Sequence, residues 1–174
     1  MEDGRGAGSV TLRPMTRELC HALYREYERD PDTFMDMSLF EPFVYEPEWV
    51  ERYIAKQERQ GSVVFAIMLG GKVVGEVKLK RIGRERQVCA MGIHLQNDRA
   101  KNRGIGTRAE RLALQYAFEV LGMEAVEADA VHKNKRSQHV MEKVGFRPVG
   151  EDEVFRYYRI DRRDFALRSM EDEI

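Results

Sequence analysis

Two glycines separated by one residue, Gly104 and Gly106, stand between an apolar run and a long amphipathic segment. Glycine lets the main chain approach a ligand closely, and a helix that follows adds unpaired amides and the positive end of its dipole. Such a loop is suited to a diphosphate. On its own, a Gly-x-Gly pair before a helix is more often an ordinary turn. The rest of the chain has to decide between the two.

The sequence predicts no metal site and no disulfide scaffold. Its histidines show none of the spacings that bind a metal, such as two histidines flanking a glutamate within one helical turn. They are His21, His94, His132 and His139. The two cysteines, Cys20 and Cys89, are far apart in the sequence, which argues against a disulfide or a zinc cluster.

Acidic residues are concentrated between Glu26 and Glu51. This acidic segment contains nine acids and one arginine, a local net charge of −8, whereas the whole chain has a formal net charge of −1 and the remainder therefore +7. One interpretation is a surface that attracts cations while the rest holds an anionic ligand, and the other is a solvated face. The chain lacks a basic stripe interleaved with aromatic residues, so we expect no nucleic-acid partner.

The length of 174 residues and the hydrophobic content of 43% suit one compact domain. We expect it to span residues 1–174, with 1–9 and 162–174 loosely held. The longest apolar run, Val63 to Leu69, is too short to cross a bilayer, and the first residues lack a signal-peptide core. We therefore expect a cytoplasmic protein that does not contact a membrane.

The elements that position the glycine loop follow from hydrophobic periodicity, which predicts a mixed α+β chain. We expect helices at 16–28, 47–60, 105–121 and 137–144, and strands at 10–12, 62–69, 72–82, 87–95, 123–131 and 154–160. The strands at 62–69, 72–82 and 87–95 should form an antiparallel meander, with a tight turn at Gly70-Gly71. The glycine loop then lies between a strand and the most strongly periodic helix.

Three short motifs in this order and spacing resemble the GNAT superfamily of acetyl-CoA-dependent N-acetyltransferases. They are Arg103–Thr107 opening a helix, Asn134–Ser137, and Glu142–Phe146. The branch they resemble most contains ribosomal-protein N-terminal acetyltransferases and spermidine acetyltransferases, and the likeness extends from Leu12 to Ile160. The resemblance implies a mixed, mostly antiparallel central sheet with a splay between two parallel strands, flanked by helices.

The resemblance also implies where acetyl-CoA, the co-substrate, binds. Pantetheine fills the gap between the strands at 91–95 and 125–131, and the glycine loop holds the diphosphate through its amides. Asn134 points its amide at pantetheine or caps the following helix, and the two roles are compatible. Lys101 replaces the family's Gln or Arg and either meets phosphate or is a solvated loop charge. The implied cofactor-binding residues are Leu95, Lys101, Asn102, Arg103, Gly104, Ile105, Gly106, Thr107 and Asn134.

Acetyl transfer needs a neutral amine, a donor that steadies the oxyanion, and a proton for the departing thiolate. Many relatives supply this proton from a tyrosine, but Met141 stands at that position. Ser137 is the replacement we predict, with Tyr157 or Tyr158 as alternatives. His94 titrates in the right range for the base, although a lone strand histidine is more often structural, and Glu76 is another candidate.

In the family, the region between the first two helices covers the acceptor, and here that region is the acidic segment. We therefore expect a cationic amine such as a polyamine, an aminoglycoside or a peptide N-terminus, attacking directly in a ternary complex. The predicted acceptor-binding residues are Asp32, Asp36, Glu41 and Glu46. The alternative is a non-catalytic acyl-CoA-binding sensor or interaction module on the same fold. Both a monomer and a homodimer remain open.

Overall fold

The structure, a computed structural model, describes residues 9–171, and within them seven strands form one sheet in the order β1-β2-β3-β4-β5-β7-β6. The strands are β1 Thr11–Pro14, β2 Val63–Leu69, β3 Lys72–Gly83, β4 Val88–Leu95, β5 Ala125–Val131, β6 Arg147–Glu151 and β7 Phe155–Asp161. The helices are α1 Arg17–Arg25, α2 Pro47–Arg59, α3 Ile105–Glu119, α4 Lys135–Val144 and α5 Arg162–Glu171. This α+β architecture confirms the predicted fold class.

The predicted meander is confirmed, because β2, β3 and β4 pair antiparallel in sequence order. The hairpin between β2 and β3 closes on Leu69 opposite Lys72, so two glycines alone make the turn. Gly70 and Gly71 have φ values of 56° and 78°. Two successive positive φ values are the requirement of a type I′ hairpin turn, and glycine meets it without strain.

The predicted splay lies between β4 and β5, which run parallel to each other. Val88, Cys89 and Ala90 pair with Ala125, Val126 and Glu127, and the pairing of the two strands ends there. Beyond this point, from Met91 on one strand and Ala128 on the other, the strands leave a gap. The gap exposes main-chain groups of β4 to any chain-like ligand that enters it.

The two faces of the sheet carry separate cores. On one face, α3 packs small residues such as Ala109, Ala113 and Ala117 against the sheet, in a cluster that includes Val77 and Tyr158. On the other face, α1 and α2 bury a second cluster, which contains Cys20, Leu23, Tyr24, Val50, Ala66, Met68 and Val73. The gap between β4 and β5 therefore connects the α3 side with the α1 and α2 side.

Some elements differ from the sequence prediction. The edge strand β6 was not predicted, because it contains Pro148 and Gly150 and all five of its residues are exposed. Helix α1 ends at Arg25 rather than Glu28, and α4 begins at Lys135 rather than Ser137. The loop between α1 and α2 contains two short 3₁₀ turns, Pro31–Thr33 and Met37–Leu39.

The C-terminal segment is held against the rest of the chain, which corrects the expectation that 162–174 is loose. In α5, Phe165 packs on Phe118, and the guanidinium of Arg168 donates to the carbonyls of Glu142 and Lys143. The prediction rested on the charge of this segment and did not anticipate these anchors. Residues 1–8 and 172–174, also expected to be loose, lie outside the described residues.

Candidate active site

The glycine loop has the backbone geometry of an anion-binding concavity. Gly104 is the N-cap of α3 and has φ 71°, and Asn102 has φ 57°. No side chain caps this helix, so the amides of its first turn point into the loop without a capping acceptor. Left-handed residues alternating with helical ones turn successive N–H groups towards one point, where an anion binds.

Gly106 has room for a ligand beside it. A Cβ built on this residue would meet only Val140 Cγ1, at 4.0 Å, which is an ordinary contact. The packing of the protein therefore does not require glycine here. The space that a Cβ would occupy lies beside the first turn of α3, whose amides have no side-chain cap. A CoA diphosphate fits this combination of features.

Lys101 is not a solvated loop charge. Its ammonium lies 2.7 Å from Asp30 Oδ2 and 2.8 Å from Asp98 Oδ1, and its side chain is 10% exposed. Burial opposes the charged form, but the hydrogen bonds to the two carboxylates outweigh it and raise the pKa of Lys101. The main-chain N–H of Lys101 donates to the Asp98 carbonyl. Lys101 therefore joins the loop to the acidic segment.

Asn134 caps α4, and the cap leaves part of its side chain for another role. Its Oδ1 accepts from the amide of Ser137 at 3.1 Å. The same arrangement fixes Ser137 in the first turn of α4, facing the gap. Because the cap uses the carbonyl oxygen, the amide nitrogen of Asn134 stays free of that bond and can donate to a ligand.

Two cavities meet in the gap between β4 and β5. One has a volume of about 230 Å³ and extends towards Lys80, Met141 and Phe155. The other, of about 110 Å³, reaches Gly106, His94 and Leu95. Both are lined by Thr33, Ile93, Glu110, Asn134 and Ser137. The structure thus brings Gly106 of the glycine loop, Ser137 and His94 to the lining of the same cavity.

His94 lies opposite Glu76 in the antiparallel register of β3 and β4. Its Nδ1 is 3.7 Å from Glu76 Oε1, and its Nε2 is 3.2 Å from the Tyr24 hydroxyl. The carboxylate of Glu76 is 1% exposed and also accepts from the Tyr53 hydroxyl. The imidazole thus has the Tyr24 hydroxyl within hydrogen-bond distance on one side and a carboxylate in ion-pair range on the other.

The environment of His94 keeps its ring neutral. Burial lowers the pKa of His94, although the charge of Glu76 acts in the opposite direction. Burial also raises the pKa of Tyr24 far above its usual range, so that hydroxyl keeps its proton. At neutral pH the imidazole can therefore accept a proton, which is the state that a base needs.

An aromatic cluster packs beside His94, on the α1 and α2 side of the sheet. The Tyr27 ring lies 5.0 Å from the imidazole, and the Tyr24 ring 5.0 Å from Trp49. The cluster consists of Tyr24, Tyr27, Phe43, Trp49 and Tyr53. The sequence interpretation assigned several of these rings to helix faces and did not connect them with the site, because their convergence depends on the crossing of α1 and α2.

The predicted acceptor-binding acids are exposed on the loop between α1 and α2. Asp36 caps the second 3₁₀ turn, and Asp32 approaches the Lys133 ammonium at 4.0 Å. Neither these two nor Glu41 and Glu46 line the two cavities, whereas Glu28 and Asp30 of the same segment do. The structure therefore places the four predicted acids outside the gap, on the exposed loop between α1 and α2.

The two tyrosines considered as alternative acids face elsewhere. The Tyr157 hydroxyl donates to Asp152, and the Tyr158 hydroxyl to Glu142 at 3.3 Å. Met141 lines the larger cavity, as expected of the position where relatives have tyrosine. Within residues 9–171, no cluster of acidic, histidine or cysteine side chains is placed to bind a metal, and no helix is long and apolar enough to cross a bilayer.

Comparison with known proteins identifies the family. The family model described as "Acetyltransferase (GNAT) domain" matches residues 9–147, which is most of the chain. The chain belongs to the GNAT acetyltransferase family. The acetyltransferase is 25% identical to the spermidine N(1)-acetyltransferase of Escherichia coli K12 over 146 residues, which cover 83% of this chain and 76% of that relative.

Solved structures show the same fold. The aminoglycoside acetyltransferase AAC(6')-Ib, in complex with coenzyme A, has a TM-score of 0.76 and 19% identity, covering 92% of this chain and 99% of that one. A dodecameric spermidine N-acetyltransferase from Vibrio cholerae has a TM-score of 0.70 and 19% identity, covering 93% and 99% of the two chains. The acetyltransferase is thus an acetyl-CoA-dependent N-acyltransferase.

Proposed function

We propose that the acetyltransferase transfers the acetyl group to a cationic primary amine, which attacks directly in a ternary complex. The observation that carries this proposal is the gap between β4 and β5, where Gly106 of the glycine loop and His94 line the same cavity. A donor held on the α3 side and an acceptor entering from the α1 and α2 side would meet in this gap. Such an arrangement removes the entropic cost of bringing the two reactants together.

The surroundings of the gap support a cationic acceptor. The acidic segment has a net charge of −8 and surrounds the approach, and such a field raises the local concentration of cations. The aromatic cluster adds ring faces that attract an ammonium or its alkyl chain. A polyamine, an aminoglycoside or a peptide N-terminus satisfies these conditions, and the relatives named above include acetyltransferases for the first two.

A base is needed in proportion to the basicity of the acceptor. An amine with a pKa near 10.4 costs about 4.6 kcal/mol to deprotonate at pH 7, whereas an α-amine near 7.7 costs about 1 kcal/mol. His94 is the group we assign to this task, and Glu76 and Tyr24 position it. Because the imidazole is neutral at pH 7, it can take the proton as the amine attacks.

The α3 side of the gap supplies the remaining donors. We assign the Ser137 hydroxyl to the carbonyl oxygen, where negative charge develops, and the free amide nitrogen of Asn134 to pantetheine. The amides of residues 102–107 hold the diphosphate, and the Thr107 hydroxyl assists them. Neither cysteine suits an acetyl-enzyme route, because burial raises the pKa of Cys20 to about 12 and of Cys89 to about 11.

The experiment is to incubate the full chain with acetyl-CoA and a panel of amines and to measure free thiol. The panel contains spermidine, an aminoglycoside, a peptide with a free N-terminus, and an acidic amino acid as the anionic control. We expect acceptor-dependent thiol release for the cationic members and none for the control. If CoA binds by calorimetry and no amine releases thiol, the protein is instead the non-catalytic acyl-CoA-binding module.

A further inference from the structure

Glu110 is a buried carboxyl group that the proposed mechanism does not use. It lies in the second turn of α3, on the face that also presents Ala109, Ala113 and Leu114 to the sheet. Its side chain is 1% exposed, and Oε2 has no hydrogen-bond partner among residues 9–171. Burying a polar oxygen without a partner costs on the order of 1–3 kcal/mol. A ligand that occupies the gap can supply the missing partner.

The position of Glu110 relates it to the acetyl donor. It lines both cavities of the gap, together with Asn134 and Ser137, and Met141 lines the larger of the two. Glu110 is also one helical turn beyond Gly106, whose amide belongs to the diphosphate loop. The carboxyl therefore borders the path that leads from the diphosphate loop to the reacting end of the donor.

Glu110 is neutral in this setting. Burial raises its pKa to about 8, and no ion pair opposes this effect. Titratable groups on every neighbouring element share the two cavities with it, but none is hydrogen-bonded to it. They are Lys80 of β3, His94 of β4, Asp129 of β5, Arg136 of α4, and Glu28, Asp30 and Lys101 of the loops. A neutral carboxyl carries a proton that it can donate.

We propose that the Glu110 carboxyl protonates the thiolate of CoA as it departs, the role for which the family's tyrosine is absent here. This step rests on the proposed function. The amine, already in its neutral form, bonds through nitrogen to the acetyl carbon, and the proton that the nitrogen then carries in excess passes to His94. The carbon–sulfur bond then breaks, its electron pair stays on sulfur, and sulfur takes the proton of Glu110. Water returns that proton to Glu110 and removes the other from His94, which leaves N-acetylamine and free CoA.

This assignment moves the proton donor for the thiolate from Ser137, which was predicted for that role, to Glu110. A serine hydroxyl is a hydrogen-bond donor but a very weak acid, whereas an acid that titrates near the working pH transfers its proton efficiently. Ser137 thus steadies the carbonyl oxygen, and Glu110 serves the sulfur. Met141, between them in the larger cavity, adds only apolar surface.

The kinetic test replaces Glu110→Gln, which keeps the shape and removes the acidic proton. We expect kcat for acceptor-dependent thiol release to fall about 100-fold, the lower range for general-acid catalysis. The KM for acetyl-CoA should stay within about twofold, because ground-state binding is retained. The matched control is Glu119→Gln, an exposed glutamate on the same helix, which should behave as the parent. An unchanged kcat in Glu110→Gln overturns the proposal.

A second measurement does not depend on any acceptor. Carbon-13 labelling of glutamate side chains gives a carboxyl resonance for Glu110, which is assigned by its absence from the Glu110→Gln spectrum. The pH titration of this resonance in the parent should have its midpoint near pH 8. Binding of CoA should shift this midpoint, whereas desulfo-CoA, which lacks the sulfur, should not. Equal shifts with both would show that the carboxyl does not face the sulfur. An inactive parent overturns the proposed function, whereas an active parent with an unaffected variant overturns the role of Glu110 alone.

Discussion

At the scale of single residues, the site depends on pairs that come from neighbouring strands. Glu76 and His94 are opposite each other in the sheet, so their spacing is set by the strand register rather than by flexible loops. The Tyr24 hydroxyl on the other side of the imidazole comes from α1. His94, the proposed base, therefore has neighbours from β3 and from α1 that do not depend on an acceptor.

The first prediction concerns the pH dependence of the base. Burial holds the pKa of His94 below its usual value of 6.5, so the acidic limb of the kcat/KM profile should lie below that pH. Since the charge of Glu76 raises the pKa of His94, Glu76→Gln should move the acidic limb to a still lower pH. The maximal rate should fall as well, because the imidazole loses its orienting partner.

The measurement is kcat/KM for the best acceptor from pH 5 to pH 8, with Glu127→Gln as control. Glu127 is an exposed glutamate on β5, and its replacement removes the same charge without touching His94. A limb that moves to higher pH in Glu76→Gln would contradict the assignment. A limb that is unchanged would mean that His94 is not the group that titrates.

Residue-level prediction from the sequence located residues of local motifs and missed residues whose role depends on tertiary contacts. Ser137, Asn134 and Gly106 line one cavity, and the roles assigned to them stay predictions. Tyr24 and Tyr53 were not predicted, because their contact with His94 and Glu76 follows from helix packing. Glu110 had a local indication, namely a charged residue on the apolar stripe of a strongly amphipathic helix.

At the scale of elements, the proposed donor site lies on the strand-loop-helix unit from β4 to α3. Its glycines have different tasks. Gly104 adopts a positive φ as the helix cap, and Gly106 leaves space beside the first turn of the helix. A substitution at Gly106 therefore separates the stability of the element from its ligand binding.

The second prediction is that Gly106→Ala stabilises the protein and weakens CoA binding. Alanine in a helix is favoured over glycine by up to about 1 kcal/mol, and the added Cβ would meet only Val140 at 4.0 Å. In the proposed complex the same methyl group lies where the diphosphate approaches the amides, so the Kd for CoA should rise at least about tenfold, or 1.4 kcal/mol.

Thermal unfolding and calorimetric titration with CoA test the two effects separately. The control is Gly150→Ala in β6, where nothing lies within 4 Å of the added Cβ, and its affinity for CoA should equal that of the parent. An unchanged affinity in Gly106→Ala would contradict the placement of the diphosphate. A loss of both stability and affinity would mean that the glycine serves the fold instead.

Prediction at the element scale depended on how strongly each segment was patterned. The meander and α3 have clear periodicity and were located to within a few residues. The strand β6 has no apolar alternation and contains proline and glycine, so only its pairing with β7 identifies it. Helix α5 was predicted as loose because its sequence is charged, while the contacts of Phe165 and Arg168 that hold it are tertiary.

At the scale of the whole molecule, charge is divided between the acidic segment and the rest. Part of the segment is neutralised internally, because Asp30 and Asp32 pair with basic residues and Glu51 pairs with Arg17. Asp36, Glu41 and Glu46 remain exposed on the loop around the approach. The field that an incoming acceptor meets is therefore set by these outer acids rather than by the full count.

The third prediction is that neutralising these outer acids weakens binding of the acceptor and leaves binding of the donor unaffected. Replacing Asp36→Asn, Glu41→Gln and Glu46→Gln together should raise the KM for spermidine several-fold at low salt, and the difference should shrink as salt screens the field. The KM for acetyl-CoA should not change. Steady-state kinetics at two salt concentrations provide the measurement.

The control changes three exposed acids elsewhere, Glu58, Glu85 and Glu119, to glutamine, so that the net charge is the same. This control should retain the parent's KM for spermidine. If both triple variants raise the KM for spermidine equally, the net charge of the protein rather than the acidic segment attracts the acceptor. If neither does, the acceptor is recognised without help from the outer acids.

The ion pairs of Asp30 connect the two halves of the site. Asp30 belongs to the segment expected to cover the acceptor, and its carboxylate holds Lys101 of the glycine loop at 2.7 Å and approaches Arg136 of α4 at 3.8 Å. If binding of the donor orders the glycine loop, it also fixes the Asp30 carboxylate that contacts the loop. Binding of the acceptor to the acidic segment in turn affects the loop through the same carboxylate. Thermodynamic linkage then requires each substrate to change the affinity of the other by one common factor. In Asp30→Asn this mutual dependence should be lost, and the two substrates should bind as if to independent sites.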